Sequence, residues 1–513
     1  MANLDFIKKL YNGKNCYSDH MTEEELKLLH ITSKVEAIIC DMVKKGKIVF
    51  LTGNPGDGKT FIIKAINEVL TEYNAYVKCD MNSENGYSQT VEEILACYRE
   101  QRAAVIAINE YPFMKLCQDL RLVSSEVYQE ITTAKKSAIT YDLSSPLMGK
   151  VAVIDLNERN FLDADRNLLG ELIDKFLKLL SEDTEHNSTL EYNIKALSVP
   201  EIKTQVITLI SLAASECVHF AIRDVLGAFS FIFTACMSEE YEGDKYYSAI
   251  FESSNALLEI VQQFDPIYLS SPTLDEALWN GEKTEGWILE VPSRWPNDPA
   301  YVDDIDGAVA CFREIKRKYY FENVHGQKLL ELQPDEIRKC TQIFTSFDSQ
   351  KKKIKERIIK SINKLFLPSS DDKKQLHIWT THRFDMSIPA AVAISRKSID
   401  AGELDIQMPR PADWLQGLEY IPDHIILIPK GKNEPSLRLD IDFLRTLNAV
   451  DEGYPVGLLA PQYEQAAAMF LQQLDDNGLT EENDDGEIIL ASRRKSYKKS
   501  VFIQDGKYGF EED

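Results

Sequence analysis

Eight consecutive residues, Gly53-Asn-Pro-Gly-Asp-Gly-Lys-Thr60, have the types and spacing to hold a triphosphate. They satisfy G-x-x-x-x-G-K-[ST], in which glycines let the backbone turn tightly enough for successive N–H groups to converge on an anion. Lys59 is expected to reach the β- and γ-phosphates, and the Thr60 hydroxyl to be a ligand of Mg²⁺. The expected nucleotide-binding set is therefore Gly53, Asn54, Pro55, Gly56, Asp57, Gly58, Lys59, Thr60 and Phe61.

Hydrolysis needs more than a phosphate cradle: a carboxylate must polarise the attacking water, and another acid must stand on the metal side. Two apolar runs end in suitable residues. AAVIAI (103–108) leads into Asn109-Glu110, and KVAVIDL (150–156) carries Asp155, followed by Asn157. If the first run is the acidic strand, Glu110 is the catalytic base and Asn109 occupies the metal-side position. Asp155 or Asn157 then contacts the γ-phosphate or the water. The opposite assignment makes Asp155 the metal-side acid, and both stay open. In the additional-strand class of phosphate-loop ATPases one strand separates the phosphate strand from the acidic one, and chain order nominates 75–80 for that place. Further along, HFAIRDVL (219–226) sets Arg223 in an apolar helical pattern, where it could sense the γ-phosphate or pair with Asp224. Arg159 and Arg166 are candidates for a finger acting on a neighbouring subunit.

The elements that would position these residues follow from periodicity. KIVFLT (47–52) reads as a buried strand and FIIKAINEVLTEY (61–73) as a helix; 75–80, 103–108 and 150–156 are further strands, nearly continuous in apolar residues as parallel strands covered on both faces are. Strands alternating with helices imply an α/β parallel sheet with right-handed crossovers. Residues 1–46 read as helical, with Thr22 and Ser33 opening two helices. The expected organisation is thus an N-terminal helical segment (1–46), an α/β nucleotide-binding core of the P-loop NTPase type (47–188), a helical lid domain (189–365) and a C-terminal α+β domain (366–513) for assembly or partner contacts. Within the last, HIILI (424–428) and LRLDI (437–441) read as strands, and 475–487 as an acidic loop.

With 82 acidic against 58 basic residues the net charge is −24, which argues against a surface that coats polyanions and leaves DNA contact to local grooves. Two basic stretches, 351–364 and 493–499, are the candidates, although a solvated helix face is the more ordinary account of the first and pairing with the acidic loop just upstream an equal one for the second. The nine cysteines show neither CxxC pairs nor zinc spacing, so reduced, mainly buried thiols are expected. The absence of a leader-like apolar core near the N-terminus and the polar interruptions at Glu216, His219, Arg223 and Asp224 lead to the expectation of a cytoplasmic chain without a membrane span.

The succession GNPGDGKT, AINEYPF, VIDLNERNF and HFAIRDVL, with REIKRKYYFEN (313–323) further on, resembles bacterial AAA+-like ATPases of anti-phage defence, the group that includes the DptF-type ATPases of phosphorothioation-dependent DNA restriction. The resemblance spans about residues 45–460, with the phosphate loop its only individually specific motif; Asn109, where many such ATPases have Asp, departs from the pattern. It implies ATP rather than GTP, with Mg²⁺, hydrolysed at the interface of a homo-oligomer that drives a separate effector protein. Two alternatives remain beside it: an ATP-gated scaffold with little hydrolysis, and a DNA translocase.

Overall fold

The computed structural model describes the chain apart from residues 1, 12–20, 82–86, 143–144, 148, 164–166, 184–186, 217, 236, 239–240, 327–328, 369, 380–389, 455–460, 493–495, 505–506 and 513. It divides into two compact units, Met1–Gln333 with Arg410–Ile421, and Pro334–Pro409 with Pro422–Asp513.

In the first unit, helices α1 (Ala2–Tyr11), α2 (Glu23–Leu29) and α3 (Lys34–Lys44) precede β1 (Ile48–Thr52). Thr22 closes a capping box with Glu25, and the Ser33 hydroxyl accepts from the Val35 amide, so both helices start where their side chains can satisfy exposed N–H groups. After β1 come α4 (Lys59–Ala65), α5 (Asn67–Glu72), β2 (Tyr76–Lys78), α6 (Tyr87–Glu100), β3 (Ala104–Ala107), α7 (Glu110–Val123), α8 (Ser125–Ala138), β4 (Ile139–Thr140) and β5 (Val151–Asp155).

Four of these strands form one parallel sheet in the order β2-β3-β1-β5. Its two faces feed separate cores. Val49, Leu51, Val105 and Ile154 pack with α3, α4 and α5, whereas Phe50, Ile106 and Val153 pack with α6, α7 and α8. That two-sided burial is why the strands read as unbroken apolar runs.

Chain order is misleading about one strand. Segment 75–80 does not lie between β1 and β3: β2 is the edge strand beyond β3, and β3 is the one that separates it from β1. The crossover through α4 and α5 carries the chain two strand positions from β1, and β3 later fills the gap. Local periodicity shows that a strand exists and carries no information about its neighbours in the sheet.

The rest of the first unit is helical: α9 (Leu168–Ser181), α10 (Ser188–Leu197), α11 (Pro200–Ser211), α12 (Ile222–Thr234), α13 (Tyr246–Ala249), α14 (Ala256–Val261), α15 (Pro272–Trp279) and α16 (Ile305–Glu322). Phe176, Phe229, Phe233, Tyr246 and Phe321 dominate their core, into which α1 inserts Ile7 and Leu10. Arg410–Ile421 rejoins this unit, pairing Arg410–Pro411 (β9) antiparallel to β4 and burying Leu415 and Leu418 beside α3.

The second unit is α+β. It contains α17 (Asp335–Thr345), α18 (Phe347–Phe366), α19 (Ile441–Asp451) and α20 (Pro461–Asp476), a sheet ordered β11-β10-β8 and a second ordered β14-β13-β12-β7-β6. The strands are β6 (Gln375–Trp379), β7 (Ala390–Asp400), β8 (Leu404–Gln407), β10 (His424–Pro429), β11 (Leu437–Asp440), β12 (Glu481–Ser492), β13 (Ser496–Gln504) and β14 (Lys507–Glu512). The acidic loop expected at 475–487 is largely strand, because β12 starts at Glu481 and pairs with β7 from its first residue. Part of the basic stretch on α18 is paired inside its own unit: Lys351 meets Asp405 at 3.0 Å, Lys355 Nζ donates to the Ala401 and Leu404 carbonyls, and Lys364 meets Asp451 at 3.1 Å. Lys352 and Lys353 are exposed. Of the other basic stretch, 493–495 lies outside the described residues. No helix among the described residues is long and apolar enough to cross a membrane.

Candidate functional site

The loop from Gly53 to Thr60 leaves the C-terminal end of β1 and enters α4 through Gly58. Gly53 has φ 141°, and a Cβ there would lie 2.6 Å from Asp57 Oδ2 and 3.2 Å from Leu156 Cβ. At Gly56, with φ 102°, a Cβ would lie 3.2 Å from both Ala221 Cβ and Arg223 Cζ. Only glycine supplies both the left-handed backbone and the clearance at these two places.

Asp57 organises the loop from within. It is 1% exposed; its Oδ2 accepts the Asn54 N–H at 2.6 Å, and His219 Nε2 lies 2.7 Å from its Oδ1. Burial works against a proton on His219, but the bond to Asp57 and its charge outweigh it, and the imidazole is held above its usual range. The loop is thereby tied to the segment just before α12.

Lys59 is buried, and its Nζ donates to the carbonyls of Gly53 at 2.9 Å and Asn54 at 2.7 Å. Burial lowers its pKa, against the opposing charges of Asp57, Asp80 and Asp155. The Thr60 hydroxyl donates to the Cys79 carbonyl at 3.2 Å, toward the end of β2, where Asp80 follows. Sequence reasoning passed over Asp80. The signal available was modest: it is the first acid after the second apolar run.

The two strands nominated for the acid both flank β1. Asp155, on β5, stands in register with Thr52, while Asn109 and Glu110 begin α7 directly after β3. Burial raises the Asp155 pKa, opposed by a hydrogen bond from the Asn157 N–H at 3.1 Å and by the Lys135 charge. Lys135 of α8, absent from the expected set, joins the two strand ends. Its Nζ pairs with Glu110 Oε1 and lies 3.9 Å from Asp155 Oδ2. Two atoms nearby, Glu110 Oε2 and Asn157 Oδ1, are buried without a hydrogen-bond partner, whereas the Thr52 hydroxyl interacts with Asp155. Such orphans are uncommon in native folds and call for an explanation, of which a bound ligand or ion is one.

Arg223 is the second residue of α12 rather than a mid-helix position, and its guanidinium lies over Gly56. Its Nε is 4.0 Å from Asp224 Oδ1, and Asp224 Oδ2 accepts the Ala221 N–H, so Asp224 serves mainly as a helix cap. Arg159 does not present itself to a neighbouring subunit: it is buried, its Nε donating to Glu419 Oε2 at 2.6 Å. Its partner comes from 260 residues further along the chain, which no local pattern could show. Arg166 lies outside the described residues.

Next to Gly58, an apolar pocket is walled by Ile31, Phe61, Ile62, Leu168, Leu172 and Ile222. Ser33, Glu36 and Arg159 supply polar groups at the same pocket. The loop and the start of α12 thus lie together, with the strand ends close by and this small pocket beside Gly58. Among the described residues no cluster of three or more His, Cys, Asp or Glu side chains could hold a metal by itself. No family model matches the chain, and neither does any curated protein or solved structure.

Proposed function

We propose that the first unit is a P-loop NTPase core with its helical lid, which binds ATP and hydrolyses it with Mg²⁺. The observation that carries this reading is the Gly53–Thr60 loop at a strand-to-helix turn, with buried Lys59 facing the carboxylates of the neighbouring strand ends. The pocket beside Gly58, at about 30 Å³, has room for no more than a water molecule and does not assign the base. The choice of adenine rests on the motif resemblance.

The residues present fit a nucleotide and its metal. The loop amides of Gly56, Gly58 and Lys59 would hold phosphate oxygens, and Lys59 would give up the Gly53 and Asn54 carbonyls to neutralise them. Thr60, with Asp80, Asp155 or Asn109, would hold Mg²⁺, which when bound would draw charge from the phosphate oxygens. Asp80 gains weight from the sheet order, since β2 is separated from β1 by one strand and the Thr60 hydroxyl turns toward its end. Glu110 is the base that would accept the proton of the attacking water, and Asn157 would orient that water. Arg223 would meet the developing charge and report phosphate occupancy to α12.

Turnover and nucleotide binding measured on native protein and Lys59→Ala test this. The expected result is nucleotide binding and turnover in the native chain, with turnover lost by about 100-fold or more in Lys59→Ala. A native chain that binds no nucleotide overturns the reading. Comparing Asp80→Asn with Asp155→Asn for the Mg²⁺ concentration each requires identifies the metal-side acid.

Asn109, standing where an acid is usual, favours a second reading: an ATP-gated scaffold that hydrolyses slowly. The motif resemblance extends either reading to a homo-oligomer acting on an effector in anti-phage defence. Mass measurement with and without a non-hydrolysable ATP analogue tests that extension, and a monomer in both states removes it.

A further inference from the structure

The ammonium of Lys135 has a defined place. Helix α8 starts from Ser124 as N-cap and buries Val127, Ile131 and Ala134 against the face of the sheet that holds Phe50 and Val153. Lys135 follows in the last turn, its side chain half-buried. Its Nζ lies 5.3 Å from the centre of the Phe113 ring, and Phe113 in turn packs edge-on against Phe50 of β1 at 5.6 Å. Packing from β1 through Phe113 thus aims the lysine at the gap between the ends of β3 and β5.

Three groups face it there: Glu110 and Cys117 from α7, and Asp155 from β5. Glu110 spends one oxygen on Lys135 and keeps the other, Oε2, buried with no partner. A carboxylate in that arrangement is poorly placed to accept a proton from water, because its accessible oxygen is already held by a cation. Lys59 shows the same pattern one strand away, spent on carbonyls of its own loop.

We propose that Lys135 is a positioning residue that restrains Glu110, bridging it toward Asp155 so that the carboxylate works only after this ion pair is broken. The inference rests on the ATPase reading and adds to it a brake built from a residue outside the phosphate loop. What releases the brake is a change in charge between the strand ends, which triphosphate and metal would bring together.

The test compares native protein with Lys135→Met, which keeps the stem over Phe113 and removes the charge, and with Lys135→Gln as a second neutral variant. Full-length protein is assayed for ATP turnover and, separately, for binding of a fluorescent ATP analogue. The expected result is a kcat increased on the order of fivefold in both neutral variants with KM little changed, the size expected for losing one half-exposed ion pair. Lys135→Arg, which keeps the cation, should cancel that increase. In Lys135→Met/Glu110→Gln the increase should vanish, because the restraint acts through Glu110. A kcat that falls or stays level in both neutral variants, while nucleotide still binds, overturns the brake and leaves the ATPase reading intact. Loss of the parent reading shows up differently, as native protein that binds no analogue.

Discussion

Two places in the first unit bury lysines and arginines among carboxylates, and they are built to opposite ends. On α16 two successive cations are held by hydrogen-bonded acids, Arg317 by Asp265 and Glu252 at 2.8 Å and Lys318 by Glu322 at 2.6 Å, while the neighbouring Lys316 lies 2.8 Å from Asp275 Oδ1, which makes no hydrogen bond. Glu322, fully buried, also accepts from the hydroxyls of Tyr192 and Tyr246. Around the Gly53–Thr60 loop the charges are shared less completely. Lys135 divides itself between Glu110 and Asp155, Lys59 turns to backbone carbonyls, and Glu110 and Asn157 each retain a buried atom without a partner. A satisfied network makes a rigid fastening; an incompletely satisfied one holds polar capacity in reserve, at a cost in stability, for something that binds.

The largest effect that would sharpen this contrast is expected on α16. Glu322→Ala strands the Lys318 charge and two tyrosine hydroxyls in the core, and should cost about 3–5 kcal/mol in chemical denaturation, the range for breaking a buried pair from one side. A loss within the scatter of surface mutations would show the network to be incidental. Next comes Arg223→Ala, which removes the guanidinium over Gly56 while sparing the Asp224 cap. Turnover should fall about tenfold or more with little change in melting temperature. An unchanged rate would leave Arg223 a packing residue.

The smallest effect is a gain. Burial raises the Asp155 pKa, so its charged form costs the fold stability. The sign follows from linkage: a carboxylate whose folded pKa exceeds its unfolded value contributes no penalty below about pH 3.9, and the penalty grows as pH rises from there and levels off above the folded value. Asp155→Asn should therefore melt slightly above the native protein at neutral pH in metal-free buffer, with the difference closing in acid. A lower melting temperature at neutral pH would mean that the Asn157 amide and Lys135 outweigh burial, and the contrast with α16 would shrink.

Much of the site was open to inspection before any fold was known. The loop motif, the apolar runs on either side and the caps at Thr22 and Ser33 are local, because phosphate cradles, strand burial and helix starts each depend on residues within a few positions. What stayed hidden depends on distant residues. Lys135 looks like any lysine near the end of an amphipathic helix, Asp80 like a polar residue closing a strand, and Arg159 like an exposed finger. Their roles come from Glu110, from the edge position of β2, and from Glu419.

By itself, then, the amino-acid order determined that a glycine-rich turn joins a buried strand to a helix, and that acids close the later strands, since these properties follow from backbone freedom and hydrophobic period. Tertiary structure alone decided that β3 stands between β1 and β2, that Asp155 and Glu110 meet at one lysine, and that Arg223 covers Gly56. The physical reason is that strand neighbours and the charge each side chain feels are set by crossovers and packing between residues tens to hundreds of positions apart, and the local sequence carries no record of those distances.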